Sequence, residues 1–206
     1  MHQASVRRER PLIEVNFAAI PESLVEAELF GYERGAFTDA RQSRPGLFQS
    51  AHGGFLFLDE VDSLPLATQA KLLTAIEQRE VRRLGGTRAE PVDAWIVSAT
   101  NTRLDAAVAR REFRLDLYHR ISAVVIEVPP LRARARDVLA LAAAFLDCSC
   151  AEYGLAPKRL SEPAEAALLA HPWPGNVREL RNAIERAVLL ADGEEITPAL
   201  MGLALG

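Results

Sequence analysis

The sequence is short of several residues whose absence is informative. It holds two cysteines in 206 residues, Cys148 and Cys150, spaced C-x-C with no second ligand pair nearby. That argues against a zinc site and leaves both as ordinary apolar positions on a helix. Long hydrophobic runs are missing too; the stretch Val138–Leu146 is far too short to span a bilayer. The first ten residues contain no apolar core of a secretory signal, so the expected compartment is the cytoplasm, with no membrane contact. Lysine is almost absent. Lys71 and Lys158 stand alone among the 24 basic residues, and no glycine is followed by lysine. A phosphate-binding loop of the form G-x-x-x-x-G-K-[ST] is therefore not contained in these residues. The formal net charge of −4 argues against a surface that coats nucleic acid, so no direct DNA binding is expected.

What is present has the composition of an ordinary folded domain, with 49% apolar and 25% charged residues. Ile13–Phe17 alternates like a short strand, and Leu24–Phe30 has helical character. A loop with two glycines follows over Gly31–Ala40. Phe55–Leu58 is a solid apolar run between Gly53-Gly54 and Asp59-Glu60, the pattern of a strand buried on both faces of a parallel sheet. Leu66, Ala70, Leu73 and Ile76 recur at helical spacing within Pro65–Arg79. Trp95–Ala99 predicts another buried strand, and Val124–Val128 a third, closed by Pro129-Pro130. Beyond the arginine-rich stretch at 132–136, alanine and leucine dominate and only helical signals remain. A boundary near residue 133 is expected. Ser161 is placed to cap a helix with Pro163 in its first turn. Asn176 with Glu179 three residues on resembles a capping box for a helix reaching about Leu190.

The sharpest chemical signal is a buried strand that delivers Asp59 and Glu60 at its carboxyl end, where open α/β sheets bind ligands. One carboxylate can hold a hydrated Mg²⁺ and the next can polarise a water for attack on a phosphoryl group. The same pair can equally cap the following helix. Asn101 also ends a predicted strand; it can hold an attacking water, or simply form a turn. Arg114 and Arg120 flank Asp116 six residues apart, too far round a helix for one ion pair to explain both. An arginine reaching across a subunit boundary can neutralise charge in phosphoryl transfer, while solvated surface arginines are the plainer reading. Arg178 falls in the first turn of a helix, where the dipole disfavours a cation. A docked anion would explain it, as would a salt bridge to Glu179 or Glu185.

Taken in order, eight segments resemble the sigma-54-interacting AAA+ ATPase domain of bacterial sigma-54-dependent transcription activators. They are residues 15–24, Glu28–Ala40 (reading ELFGYERGAFTDA), Gly53–Glu60, Gln69–Leu73, Ala99–Asn101, Phe113–Arg120, Pro129–Arg132 and Trp173–Leu180. The resemblance implies an α/β P-loop-type three-layer sheet over residues 1–133 and a helical lid over 134–206. It implies a Mg²⁺- and ATP-dependent hydrolase, assembled as a homo-oligomeric ring, that remodels sigma-54 RNA polymerase. On this resemblance Asp59 is the Mg²⁺ partner and Glu60 the water-activating base. Asn101 is the first sensor, and Asn16 restrains the glutamate. Arg114 and Arg120 are the fingers supplied to a neighbouring subunit, and Arg178 is the second sensor, on the lid. Gly35, Ala36, Phe37, Thr38, Asp39 and Ala40 form the loop that touches sigma-54, with Phe37 and Thr38 at the tip.

This sequence departs from the family pattern in two places. The family carries its phosphate-binding loop and first strand just before the segment matching His2–Ser5, its lysine about ten residues upstream. The chain is thus read as an N-terminally truncated module in which ATP binding is impaired, or else as a non-catalytic module that packs in a ring or binds a regulator. Asp39 stands where the family loop has glycine, which adds a charge and a Cβ at a tight tip. No helix-turn-helix or sensory domain is legible in these residues.

Overall fold

The computed structural model describes residues 1–203. They form two compact units, Met1–Val125 and the described residues from Ile126 onward, each with its own apolar core.

In the first unit, three strands form a parallel sheet: β1 (Leu12–Asn16), β4 (Phe55–Asp59) and β7 (Trp95–Ser98), in the order β1-β4-β7. The central strand is β4, and its Phe55, Leu56 and Leu58 are buried, as the unbroken apolar run predicts for a strand covered on both faces. Gly54 is required where β4 begins, because a Cβ there would lie 2.0 Å from the Pro11 carbonyl oxygen. The short pairs β2 (Gly31–Tyr32) with β3 (Arg44–Pro45), and β5 (Glu80–Arg82) with β6 (Ala89–Pro91), form two antiparallel stems. Gly31 lies at φ +73°, and a side chain there would strike the backbone of Arg44 and Gly46 at 2.5 Å. Helices α1 (Glu22–Phe30), α2 (Leu47–Ser50), α3 (Leu66–Gln78), α4 (Leu104–Ala109) and α5 (Leu115–Ile121) complete the unit. Val25 and Leu29 of α1, Leu72 of α3 and Leu117 of α5 join the core around Leu56 and Leu58.

The strand expected over Val124–Val128 does not form. The segment carries no regular structure, and Val124, Val125, Ile126 and Val128 are 80, 70, 68 and 77% exposed. A strand is stabilised by its ladder, and among the described residues β7 pairs with β4 alone. A run of β-branched residues gives a segment the side chains of a strand without giving it a partner.

The second unit is helical, with α6 (Ala135–Glu152), α7 (Glu162–Ala170), α8 (Asn176–Leu190) and α9 (Pro198–Met201), plus the short parallel pair β8 (Arg159–Leu160) and β9 (Glu195–Ile196). Leu180, Ala183, Ile184, Ala187 and Val188 of α8 are buried at spacings of three and four, which gives one apolar stripe. Trp173 is 1% exposed, and its indole N–H donates to the Leu168 carbonyl at 2.8 Å. Ser161 caps α7, its hydroxyl accepting the Ala164 amide at 3.2 Å, with Pro163 in the first turn. The start of α8 differs from expectation. Gly175 is the cap residue, and the Glu179 carboxylate accepts the Gly175 amide at 2.8 Å. Asn176 lies at φ +52° and turns its side chain to the Leu131 amide instead. Asparagine tolerates the left-handed conformation, and that frees its side chain to join a neighbouring turn to the helix. Cys148 is exposed and Cys150 buried on α6, both as free thiols.

Candidate functional site

The carboxyl edge of the three-stranded sheet gathers the polar residues that end its strands. Parallel pairing sets Asn16 opposite Asp59. The Asn16 amide N–H donates to Asp59 Oδ2 at 3.1 Å, while its carbonyl oxygen accepts the Ala18 amide at 2.9 Å. The other Asp59 oxygen accepts the Glu60 amide at 3.1 Å. Each carboxylate oxygen thus keeps a free lone pair on a half-buried group.

Glu60 is held at φ 53°, ψ 48°, in the left-handed region. For a residue with a Cβ this costs on the order of 1 kcal/mol or more, and such strain gathers at functional sites. Among the described residues no hydrogen bond holds its carboxylate, and Asn16 reaches Asp59 rather than Glu60. The helix-capping reading of the acid pair finds no counterpart. Neither the turn Val61–Ser63 nor α3, which starts after Pro65, has a side-chain cap.

Asn101 lies three residues beyond the end of β7, exposed. Its loop is tied to the turn after β4 by backbone bonds from Ala99 N–H to the Leu58 carbonyl (2.8 Å) and from Val61 N–H to the Ala99 carbonyl (3.1 Å).

Arg114 is the cap residue of α5 and does not lie on the helix itself, and Arg120 is in its last turn. Arg114 grips Asp116 with two bonds, Nε to Oδ1 at 3.0 Å and Nη2 to Oδ2 at 2.6 Å. The Arg114 guanidinium holds the Asp116 carboxyl below the usual carboxylate range. Arg120 is exposed and makes no ion pair among the described residues.

Sequence patterns do not reveal what aligns Arg114. The side chain of Gln69, fully buried on α3, donates to the carbonyls of Leu64 (2.8 Å) and Glu112 (3.1 Å) and accepts the Arg114 amide at 2.8 Å. One side chain therefore joins the end of the turn after the acid pair to the start of α5.

The loop at residues 33–43 rises from the β2–β3 stem. It is closed by Gly35 N–H to the Ala40 carbonyl (2.8 Å) and Ala40 N–H to the Phe37 carbonyl (2.9 Å). Phe37 packs edge-on against Tyr32 with ring centroids 4.9 Å apart. Thr38 and Asp39 are exposed. Asp39 is not among the residues at positive φ, so the steric penalty expected for replacing glycine is absent and only the added charge remains. The β5–β6 turn supports this loop. Glu33 N–H donates to the Leu84 carbonyl at 2.9 Å, and Arg83 reaches Glu33 (3.3 Å) and Glu90 (3.1 Å).

Arg178 belongs to the second unit, exposed in the first turn of α8. Neither expected salt-bridge partner serves it. Glu179 binds the Gly175 amide, and Glu185 accepts the Tyr153 hydroxyl. Among the described residues no group of acids, histidines and cysteines is arranged to enclose a metal ion by itself, and no helix is long and apolar enough to cross a membrane.

The family model for the sigma-54 interaction domain matches residues 1–127, and that for the AAA+ ATPase lid domain matches residues 132–205. The chain belongs to the sigma-54 interaction domain family. It is 52% identical over 191 residues to the nitric oxide reductase transcription regulator NorR2 of Cupriavidus necator, covering 93% of this chain and 37% of that protein. It is 44% identical over 196 residues to the transcriptional regulatory protein FlgR of Helicobacter pylori, covering 95% of this chain and 51% of the relative. The chain thus spans between about a third and a half of the length of these two relatives. Among solved structures, NtrX from Brucella abortus in complex with ATP superposes with a TM-score of 0.89 at 38% identity, over 97% of this chain and 44% of that one. The ADP complex of the same protein gives 0.88.

Proposed function

We propose that this chain is the ATPase module of a sigma-54-dependent transcriptional regulator, coupling ATP hydrolysis to remodelling of sigma-54 RNA polymerase in the cytoplasm. The observation that carries this reading is the parallel pairing of β1 with β4, which sets Asn16 against Asp59 beside a strained Glu60 whose carboxylate has no hydrogen bond among the described residues. In this reading the α/β part over residues 1–133 does the chemistry and the helical part over 134–206 is the lid.

The residues present fit a magnesium ion held through water. Asp59 spends one lone pair per oxygen on Asn16 and Glu60 and has one left on each. The ion would neutralise charge on the phosphates. Glu60 takes a proton from the attacking water, and Asn101 orients that water against the terminal phosphate. Arg114 and Arg120 act on the site of a neighbouring subunit in a homo-oligomeric ring, and Arg178 acts from the lid. The loop Gly35–Ala40 touches sigma-54. Its Asp39 brings one negative charge to that contact.

A second reading has its own observation. These residues contain no Gly-Lys pair, so the backbone cradle and lysine that anchor a triphosphate do not come from them. A module that packs into a ring or binds a regulator without turnover fits that fact. Calorimetric titration of residues 1–206 with Mg²⁺ and ATP separates the two. The ATPase reading expects weak binding, of order millimolar or somewhat tighter, and slow turnover that Glu60→Gln abolishes. No detectable binding overturns it in favour of the interaction module.

A further inference from the structure

Asp62 lies outside every pattern that marks the site, yet it occupies the position from which Asn101 is controlled. After β4 the left-handed Glu60 reverses the chain into a single turn, Val61–Ser63, and Val61 anchors that turn in the core with no exposure. Asp62 is therefore fixed to the strand that carries Asp59. Its carboxylate reaches across to the loop after β7 and uses both oxygens there. Oδ1 accepts the Thr100 hydroxyl at 2.6 Å, and Oδ2 accepts the Thr102 hydroxyl at 3.0 Å. The Thr102 amide closes the arrangement by donating to Thr100 Oγ1 at 3.1 Å. The two threonines bracket Asn101, whose own side chain has no hydrogen bond among the described residues. Sequence separations of 38 and 40 residues make these tertiary bonds rather than turn chemistry.

We infer that Asp62 is a positioning residue, which latches the Thr100–Thr102 turn to the acid-bearing turn and so sets Asn101 at a fixed place relative to Asp59 and Glu60. The inference rests on the ATPase reading for its catalytic consequence and on geometry for the latch. Charge-assisted hydrogen bonds are about twice as strong as neutral ones, so two on one carboxylate can immobilise an otherwise exposed loop. A water-orienting group contributes through its placement, and misplacement by about 1 Å can cost on the order of a hundredfold in rate. The bland alternative is a surface staple with no bearing on the chemistry.

Asp62→Ala removes both acceptors. Asp62→Asn keeps the shape, its oxygen accepting from Thr100 and its amide donating to Thr102 Oγ1. Amide hydrogen exchange of the nucleotide-free chain tests the latch. Exchange at Thr102 is expected to speed up about tenfold in Asp62→Ala, to return near the parent rate in Asp62→Asn, and to stay unchanged at Val61 and Ala99. Steady-state ATP turnover of the same proteins tests the role. kcat is expected to fall at least about tenfold in Asp62→Ala with KM little moved, and Asp62→Asn to restore most of it. Unchanged Thr102 exchange in Asp62→Ala overturns the latch. Faster exchange with unchanged kcat, or a change in KM alone, overturns the positioning role. A parent chain without turnover overturns the ATPase reading and with it the catalytic consequence, and the exchange result still decides the latch.

Discussion

The two units spend their polar groups differently. In the helical unit, Arg178 apart, several of them finish elements. Ser161 caps α7, and Lys158 donates to the carbonyls of Ala191 (2.9 Å) and Gly193 (2.6 Å) beyond the end of α8. Glu179 binds the Gly175 amide and Arg186 the Met201 carbonyl. In the α/β unit several are left over. The side chains of Glu60, Asn101 and Arg120 make no hydrogen bond or ion pair among the described residues, Glu60 is strained, and the outer edge of β7 has no partner strand among the described residues. The first unit thus carries the candidate chemistry at some cost in local stability, and the second is built mainly for packing.

The largest expected effect comes from opening the packed unit. Ile184 is fully buried in the α8 stripe, so Ile184→Ala should cost about 2–5 kcal/mol through lost burial and the cavity left behind. Chemical denaturation followed by circular dichroism reads this directly. Val124→Ala, by contrast, should be nearly silent, since Val124 is 80% exposed. Equal losses at the two sites would erase the contrast.

Gln69→Leu should rank next. It leaves the Leu64 and Glu112 carbonyls and the Arg114 amide without their partner. Stranding the buried Leu64 carbonyl and the two partly buried groups costs about 1–3 kcal/mol. The disturbance should concentrate at the start of α5, where exchange of the Arg114 amide reports it. A uniform loss of protection across the unit would mean that Gln69 supports the core in general rather than Arg114 in particular.

Gln69 and Asp62 also mark the limit of what the sequence discloses. The strands at 12–16, 55–59 and 95–98 and the helices at 22–30 and 66–78 fall within a residue or two of what periodicity predicts, because period and apolar runs are local properties. The acid pair was legible for the same reason, as a polar break after an apolar run. Val124–Val128 forms no strand, because an apolar β-branched run is local whereas its ladder is not. The cap of α8 moved by one residue because the Asn176 side chain found a partner in Leu131, 45 residues away. The bonds of Gln69 to Arg114 and of Asp62 to Thr100 span 45 and 38 residues, and no spacing rule reaches that far.

Glu60→Gly sharpens the contrast with a smaller change of opposite sign. Glycine takes φ 53° at little cost, so relief of strain should stabilise the α/β unit by about 0.5–1 kcal/mol, offset in part by the freer unfolded chain. The melting temperature should rise while any ATP turnover disappears. A lower melting temperature would mean that the Glu60 side chain contributes packing that outweighs the strain.

The smallest effect concerns a strongly tied charge at the sheet's amino-terminal side. Arg7 lies over the Trp95 ring at 4.9 Å and bonds Asp93 Oδ2 at 2.6 Å, together with the carbonyls of Asp93 (3.1 Å) and Gly54 (3.2 Å). The hydrogen bond from Arg7 holds the Asp93 carboxyl below its usual value, and the nearby charges of Arg7, Arg79 and His52 add to it. A carboxylate whose folded pKa is depressed gives stability that is complete above its unfolded pKa, about 3.9, and that disappears as pH falls through the lower folded value. Melting temperature measured from neutral pH down into that range should therefore drop more steeply for the parent than for Asp93→Asn. At neutral pH the parent should keep only a small advantage, because Asp93 is 54% exposed and solvent screens the pair. Added salt should shrink that advantage further. Parallel curves for the two proteins would mean that Arg7 is held by Trp95 and the backbone carbonyls alone, and that this side of the sheet is fastened by packing, as the helical unit is.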